Sequence, residues 1–358
     1  MAQAMHDNDC SEALREQVLD ALSRKAPLRI AGSDSKAFYG RPVAGELLSM
    51  AAHAGIVDYH SSELVLTARA GTPLSCIERV LAENGQMLGF EPPHFGERAT
   101  LGGVVAAGLS GPRRPFAGSV RDFVLGVRMI NGKGEILRFG GEVIKNVAGF
   151  DVSRLMVGAQ GTLGVLLDIS LKVLPCPRAE WTLVFDLPAS QALTTMNQWA
   201  GQMWPLSAAC HDGQRLYVRL SGDEQALEFS HRALGGALLG DGAAFWSDLR
   251  EQRLPFFGSS QDIWRLSMPV AAPGPELPGQ WLLDWGGAQR WLKTEASDAA
   301  VFDGAMKSGG HATRFRSVTP NQRVFQALPG RLYDVHVKLK RAFDPQGIFN
   351  PGRLYPEV

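Results

Sequence analysis

Three glycine-rich segments carry residues whose types and spacing can do chemistry. Gly32-Ser33-Asp34-Ser35-Lys36 follows a short apolar run, Leu28–Ala31. Successive backbone N–H groups in such a turn form an anion nest, and Lys36 adds positive charge; the same residues also make an ordinary surface turn. Thr100-Leu101-Gly102-Gly103-Val104-Val105-Ala106-Ala107-Gly108 carries almost only small side chains. As a helix it admits close approach to its backbone, and its N-terminus offers N–H groups and a positive dipole end to a phosphate. Tight helix–sheet packing without a ligand satisfies the same pattern. The third segment is Gly158-Ala159-Gln160-Gly161-Thr162-Leu163-Gly164. A dinucleotide-binding Rossmann loop leaves a strand and opens a helix. This one leaves a helix-like stretch, Asp151–Val157, and enters a strand, so an NAD-type Rossmann site is excluded. The sequence has no G-x-x-x-x-G-K-[ST], which excludes a P-loop.

The elements that must position these loops are legible in the first half of the chain. Leu14, Val18, Leu19 and Leu22 recur at helical spacing, predicting a helix over 11–25 that Pro27 ends, before a strand at Leu28–Ala31. Glu63–Ala70 alternates as a strand does, with Leu64, Leu66 and Ala68 on one face and Val65, Thr67 and Arg69 on the other. Thr72-Pro73 supplies an N-cap and a first-turn proline for a helix carrying Leu74, Ile77, Val80 and Leu81. Asn131-Gly132 between Val124–Ile130 and Glu135–Phe139 predicts a hairpin. Val165, Leu167, Ile169, Leu171 and Val173 mark the clearest strand, and Pro175 and Pro177 a domain boundary. Beyond it, strands are expected at Thr182–Leu187, Arg215–Leu220 and Trp281–Trp285, and a helix near 321–343.

Bulk properties narrow the class. The 358 residues suggest about two domains. Lys plus Arg (36) equals Asp plus Glu (36), which leaves no basic footprint for nucleic acid and no polybasic membrane patch. The four cysteines, Cys10, Cys76, Cys176 and Cys210, are dispersed, which argues against zinc or an iron–sulfur cluster and fits reduced cytoplasmic thiols. The start, Met1–Cys10, has no apolar core of the signal-peptide kind, and no run is long enough to span a membrane. A cytoplasmic location is expected, peripheral to the inner membrane where a partner docks it there.

Taken in order, the motifs resemble the FAD-binding domain of the vanillyl-alcohol oxidase and p-cresol methylhydroxylase superfamily. They are the loop 32–36, T-A-R-A-G-T-P-L-S at 67–75, A-T-L-G-G at 99–103, G-S-V-R-D-F-V-L-G-V at 118–127, V-G-A-Q-G-T-L-G-V at 157–165 and D-P-Q-G-I-F-N-P-G-R at 344–353. Within it the chain is most similar to the FAD-binding subunits of bacterial glycolate oxidases, through W-R-L-S at 264–267 and D-W-G-G-A-Q-R-W-L at 284–292. The resemblance implies an α+β fold: a two-subdomain FAD-binding domain over 1–175, a smaller α+β cap over 176–330, and a C-terminal helix and tail, 331–358, returning to the FAD domain. It implies that residues 32–36 cradle the pyrophosphate and that Thr100, Gly102 and Gly103 lie against the pyrophosphate and ribityl chain. It further implies that Gly118, Ser119 and Asp122 continue that wall, that Gly161, Gly164 and Val165 lie by the adenine or the flavin edge, and that Asn350 approaches the isoalloxazine. Lys145, Asn146 and Asp151 would order a nearby loop, or Asp151 would cap the helix after it. The implied activity is oxidation of glycolate to glyoxylate. The implied partners are a second FAD subunit and an iron–sulfur subunit.

Relatives in that superfamily attach FAD to a histidine in the first loop or a cysteine in the second; Gly32–Gly40 has no histidine and Thr100–Phe116 no cysteine, so FAD is expected to be non-covalent. An H-x-G-D-G-N-x-H segment of metal-assisted 2-hydroxy-acid dehydrogenases is missing, so no metal is expected. Oxidising a 2-hydroxy acid needs a base for the hydroxyl proton and a cation for the carboxylate. Arg265, Arg290 and Arg314 are candidate cations and His211 and His336 candidate bases; arginines of this kind are more often in salt bridges and lone histidines more often structural. Three readings follow: a catalytic subunit of a glycolate-oxidising complex, a flavin-bearing assembly or electron-relay subunit, and a stand-alone FAD-dependent 2-hydroxy-acid oxidase.

Overall fold

The structure is a computed structural model that describes residues 7–141, 151–258, 260–318 and 323–358. The chain forms two compact units: Met1–Leu109 with Ser119–Cys176 and Ala327–Val358, and Ser110–Gly118 with Pro177–Gln326. The short segment Ser110–Gly118 therefore lies with the second unit. The Arg113 guanidinium holds it there through Glu180 and Ser221, and Trp285 Nε1 donates to Gly111 O at 3.0 Å. The Arg114 guanidinium also stacks 4.2 Å from the Trp285 ring.

In the first unit a five-stranded antiparallel sheet runs in the order Ile56–His60, Val65–Arg69, Val165–Lys172, Val124–Ile130, Ile136–Gly140. Val165–Lys172 is central and buried on both faces up to Leu171. Its neighbour Val65–Arg69 is also buried throughout, on the face of Leu66 and Ala68 and on that of Val65, Thr67 and Arg69 alike. The polar side chains are paired inside: Thr67 Oγ1 meets Ser170 Oγ at 2.9 Å, and Arg69 meets Asp168 at 3.1 Å and the N-terminal Asp7 and Asp9. Such pairing removes the desolvation cost that otherwise keeps arginine outside. Burial would raise the Asp168 carboxyl, but the His53 imidazole and the Arg128 and Arg69 guanidiniums bring it below the usual carboxylate range.

The first helix, Ser11–Arg24, buries Leu14, Val18 and Ala21. Pro73 rather than Thr72 stands at the N-cap of the helix Leu74–Glu83, because the Thr72 hydroxyl is held by the backbone of Gly55. The hairpin loop spans 131–135, not two residues: Asn131 Oδ1 accepts from the amides of Lys133 and Glu135. The tail joins the strand Leu28–Ala31 through Leu28 N–H to Ile348 O (2.7 Å) and Asn350 N–H to Leu28 O (3.0 Å).

The second unit is built on an eight-stranded antiparallel sheet. Leu216, Val218 and Leu220 pack beneath the helices Ala189–Ala200 and Glu224–Leu234. Trp264, Leu266 and Leu292 pack with Val301, Phe302 and Ala305 of the helix Asp298–Lys307. Among the described residues no helix is long and apolar enough to cross a membrane.

Candidate functional site

The glycine loops and the tail of the first unit enclose a cavity of about 340 Å³, a size typical of cofactor sites. Gly32, Ser33, Asp34, Ser35 and Lys36 all line it. Asp34 turns the chain at φ 58° and accepts two bonds from Arg29 Nη1, at 2.8 and 2.9 Å. Among the described residues the amides of Ser33, Asp34 and Ser35 have no acceptor in the protein, which leaves them for an anion. Lys36 is buried and turned inward, its Nζ donating to His94 O at 2.9 Å and lying over the Phe95 ring. The unbonded donors of this loop are therefore backbone amides, while its lysine is bonded to His94 O.

Thr100, Gly102 and Gly103 line the cavity with Ala106 and Ala107. The free helix N-terminus read from the sequence is absent here. Leu101 N–H donates to Thr72 O (2.9 Å), Gly102 N–H to Ala70 O (2.7 Å) and Gly103 N–H to Thr100 Oγ1 (3.3 Å). The carbonyls of Ala70 and Thr72, just past the strand Val65–Arg69, and the Thr100 hydroxyl take those amides first. The glycines serve close approach instead: a Cβ on Gly102 would lie 2.7 Å from Ala70 Cβ. A Cβ on Gly103 would meet only Thr100 Oγ1, at 3.1 Å. This segment presents a bare surface against which a flat group can lie.

Gly161 and Gly164 line the cavity with Gln160 and Leu163. Gln160 and Gly161 turn at φ 49° and 72°. Asn350, also on the wall, fixes this turn: its Nδ2 donates to Gln160 O at 2.7 Å and its Oδ1 accepts from Ile30 N–H at 2.8 Å. A Cβ on Gly161 would lie 2.6 Å from Asn350 Nδ2, so glycine is required twice over.

Four residues read as part of this wall are not among its lining residues. Val165 opens the central strand and is fully buried in the core. Ser119 and Asp122 form a capping box on the short helix Val120–Phe123, with Asp122 Oδ2 accepting from Ser119 N and Oγ, both at 2.8 Å. Gly118 belongs to the second unit. Asp151 caps the turn Val152–Leu155 by accepting from Arg154 N–H; Lys145 and Asn146 lie outside the described residues.

Sequence reasoning passed over Arg353 and Tyr39, both on the wall. The Arg353 guanidinium bonds Gln160 Oε1 (3.0 Å) and the carbonyls of Arg41 (2.6 Å) and Tyr39 (2.6 Å), and burial pushes it below the usual arginine range. Its place at the end of the N-P-G-R turn was the available signal.

The catalytic candidates lie elsewhere. Arg290, buried, donates to Gly287 O (2.9 Å) and Ala272 O (2.5 Å). Arg314 is ion-paired with Asp262 and Asp298 and lies over the Trp264 ring. Arg265 lies over Phe315. His211 uses both ring nitrogens: Nε2 faces Leu187 O at 2.9 Å and Nδ1 accepts from Gly213 N–H at 3.2 Å. These four are in the second unit. His336, on the helix Gly330–Phe343, bonds Leu332 O one turn back. Among the described residues no group of three or more His, Cys, Asp or Glu is arranged to hold a metal ion.

Comparison with known proteins bears on this arrangement. The family described as FAD binding domain matches residues 9–140. The glycolate oxidase subunit GlcE of Escherichia coli (strain K12) is 51% identical over 354 residues, covering 99% of this chain and 100% of the relative. The chain belongs to the GlcE family. The glycolate oxidase subunit GlcD of Bacillus subtilis (strain 168) is 23% identical to this GlcE-family chain, over 88% of it and 80% of GlcD. An alkyldihydroxyacetonephosphate synthase shares the fold, with a TM-score of 0.65 at 16% identity, over 95% of this chain and 74% of the synthase. The cavity fits FAD: free amides on the first loop suit a pyrophosphate, and the glycine–alanine wall with Met50, Leu163 and Leu166 suits a flat ring system.

Proposed function

We propose that this chain is the FAD-binding subunit of a glycolate-oxidising complex. Its class is an FAD-dependent oxidoreductase acting on the CH–OH group of 2-hydroxy acids. The end-to-end identity with GlcE carries the proposal, and the glycine-walled cavity supplies its physical basis. Bound FAD supplies a two-electron acceptor for the alcohol carbon, giving glyoxylate from glycolate. The chain's own contribution is to bind and orient: Ser33–Ser35 amides would hold the pyrophosphate, Gly102 and Gly103 would leave room for the cofactor, and Gln160, Gly161, Gly164 and Asn350 would line its other side. FAD is non-covalent on this reading, since among the described lining residues none is a histidine or cysteine. The partners are a second FAD subunit and an iron–sulfur subunit, to which electrons pass, and the complex sits in the cytoplasm, docked at the inner membrane.

One observation favours a second reading, in which this chain holds flavin for assembly or electron relay. Arg290, Arg314 and His211 are committed to internal bonds and offer no open base or carboxylate fork. Anaerobic glycolate added to the FAD-loaded chain alone separates the two. Bleaching of the flavin band supports chemistry on this chain; a stable oxidised spectrum that bleaches once the partner subunits are restored supports relay.

A further inference from the structure

Lys340 is a lysine on the C-terminal helix whose ammonium lies in the interior of the first unit, 5% exposed. All three of its N–H donors are used. They reach Thr162 O at 2.8 Å, Phe349 O at 2.6 Å and Asp344 Oδ2 at 2.8 Å. The three acceptors lie on three separate pieces of chain: the third glycine loop, the tail just before Asn350, and the end of the helix. Asp344 in turn accepts the amides of Ile348 and Phe349, at 3.1 and 2.8 Å. The ammonium thus ties Thr162 to the residue preceding Asn350, while Asn350 itself holds Gln160 O and Ile30 N–H. Gln160, Gly161, Leu163, Gly164 and Asn350 line the cavity; Lys340 does not.

We infer that Lys340 is a positioning residue for the cofactor: from behind the cavity it sets the third glycine loop and Asn350 at one fixed separation, so that flavin binding depends on a side chain that never touches the flavin. Charge-assisted bonds to two carbonyl oxygens and a carboxylate suit this task, because each is about twice as strong as a neutral one and all three converge on one atom. Burial pulls the Lys340 ammonium below its usual range and Asp344 partly restores it. This inference rests on the cavity holding FAD, and the test separates the two.

The test compares the FAD-induced rise in Tm of the full-length chain with that of Lys340→Met, each titrated with FAD from the apo form. Ligand stabilisation follows the ratio of free ligand to Kd. A merely structural lysine lowers the Tm of the apoprotein and leaves the FAD-induced increment unchanged; that result overturns the inference. A positioning lysine weakens FAD at least tenfold and shrinks the increment. If the parent chain itself shows no increment, the FAD reading fails rather than the role of Lys340. Hydrogen exchange on the unmutated chain covers a variant that does not fold. FAD is expected to slow the amides of Ile348 and Phe349 together with those of 159–164, and protection confined to 159–164 contradicts the coupling.

Discussion

The two units treat polarity in opposite ways. Around the first unit's cavity glycines and alanines form much of the wall, and amides at Ser33–Ser35 have no acceptor in the protein among the described residues. The second unit carries the three candidate arginines and one of the two candidate bases, His211, yet Arg290, Arg314 and His211 are bound into its own carbonyls and carboxylates. A residue's type thus says little about its availability. A site for a large anionic cofactor is made by what side chains leave uncovered, whereas an arginine in a sheet is more often part of the sheet.

The largest effect that would break this comparison lies at Gly103. Gly103→Asp puts a carboxylate on the bare wall with only Thr100 Oγ1 near its Cβ, so the fold persists while like-charge repulsion of about 3 kcal/mol weakens FAD roughly a hundredfold. Isothermal titration with FAD checks it, and unchanged affinity would mean that this wall is only a packing feature. In the second unit Arg290→Ala leaves Gly287 O and Ala272 O without their donor. Stability should fall by about 2 kcal/mol by chemical denaturation, with the FAD Kd within about twofold of the parent; a large loss of FAD affinity would join Arg290 to the cofactor.

The smallest effect concerns acid. Burial raises the Asp9 carboxyl, but bonds from Ser11 and the charges of Arg69 and Arg128 outweigh it and bring the group down to about 2. Asp168 is lowered as well. A carboxylate whose folded pKa is depressed contributes stability that is complete above its unfolded value near 3.8 and is lost as pH falls toward about 2. Tm measured from pH 5 to pH 2 should therefore fall most steeply below 3.8, and Arg69→Met should flatten that limb. An identical slope in the variant would remove the N-terminal ion network from the account.

Much of the first unit was legible because its signals are local. The strand Val165–Lys172, the helix Ser11–Arg24 and the three glycine segments follow from periodicity and residue size alone. Ser119 and Asp122 were placed on the ligand wall through the resemblance alone, and only the short helix Val120–Phe123 shows that they cap it instead. Partnership between distant residues was not legible. Nothing near Lys340 announces that Thr162 and Phe349 offer it carbonyls, nor does Arg353 reveal Gln160. Three strands of the eight-stranded sheet, Ala179–Phe185, Leu216–Gly222 and Gln280–Asp284, were legible, whereas Gln289–Lys293 was not, since the buried Gln289, Arg290 and Lys293 interrupt the hydrophobic alternation that marks a strand.

The central claim is that the glycine-walled cavity holds one FAD without a covalent bond. Titrating the apo chain with FAD, then precipitating the saturated protein with acid and reading flavin in pellet and supernatant, tests it directly. The account predicts one equivalent bound at saturation and all yellow colour in the supernatant. Flavin retained on the denatured chain, or no saturable binding, would contradict it.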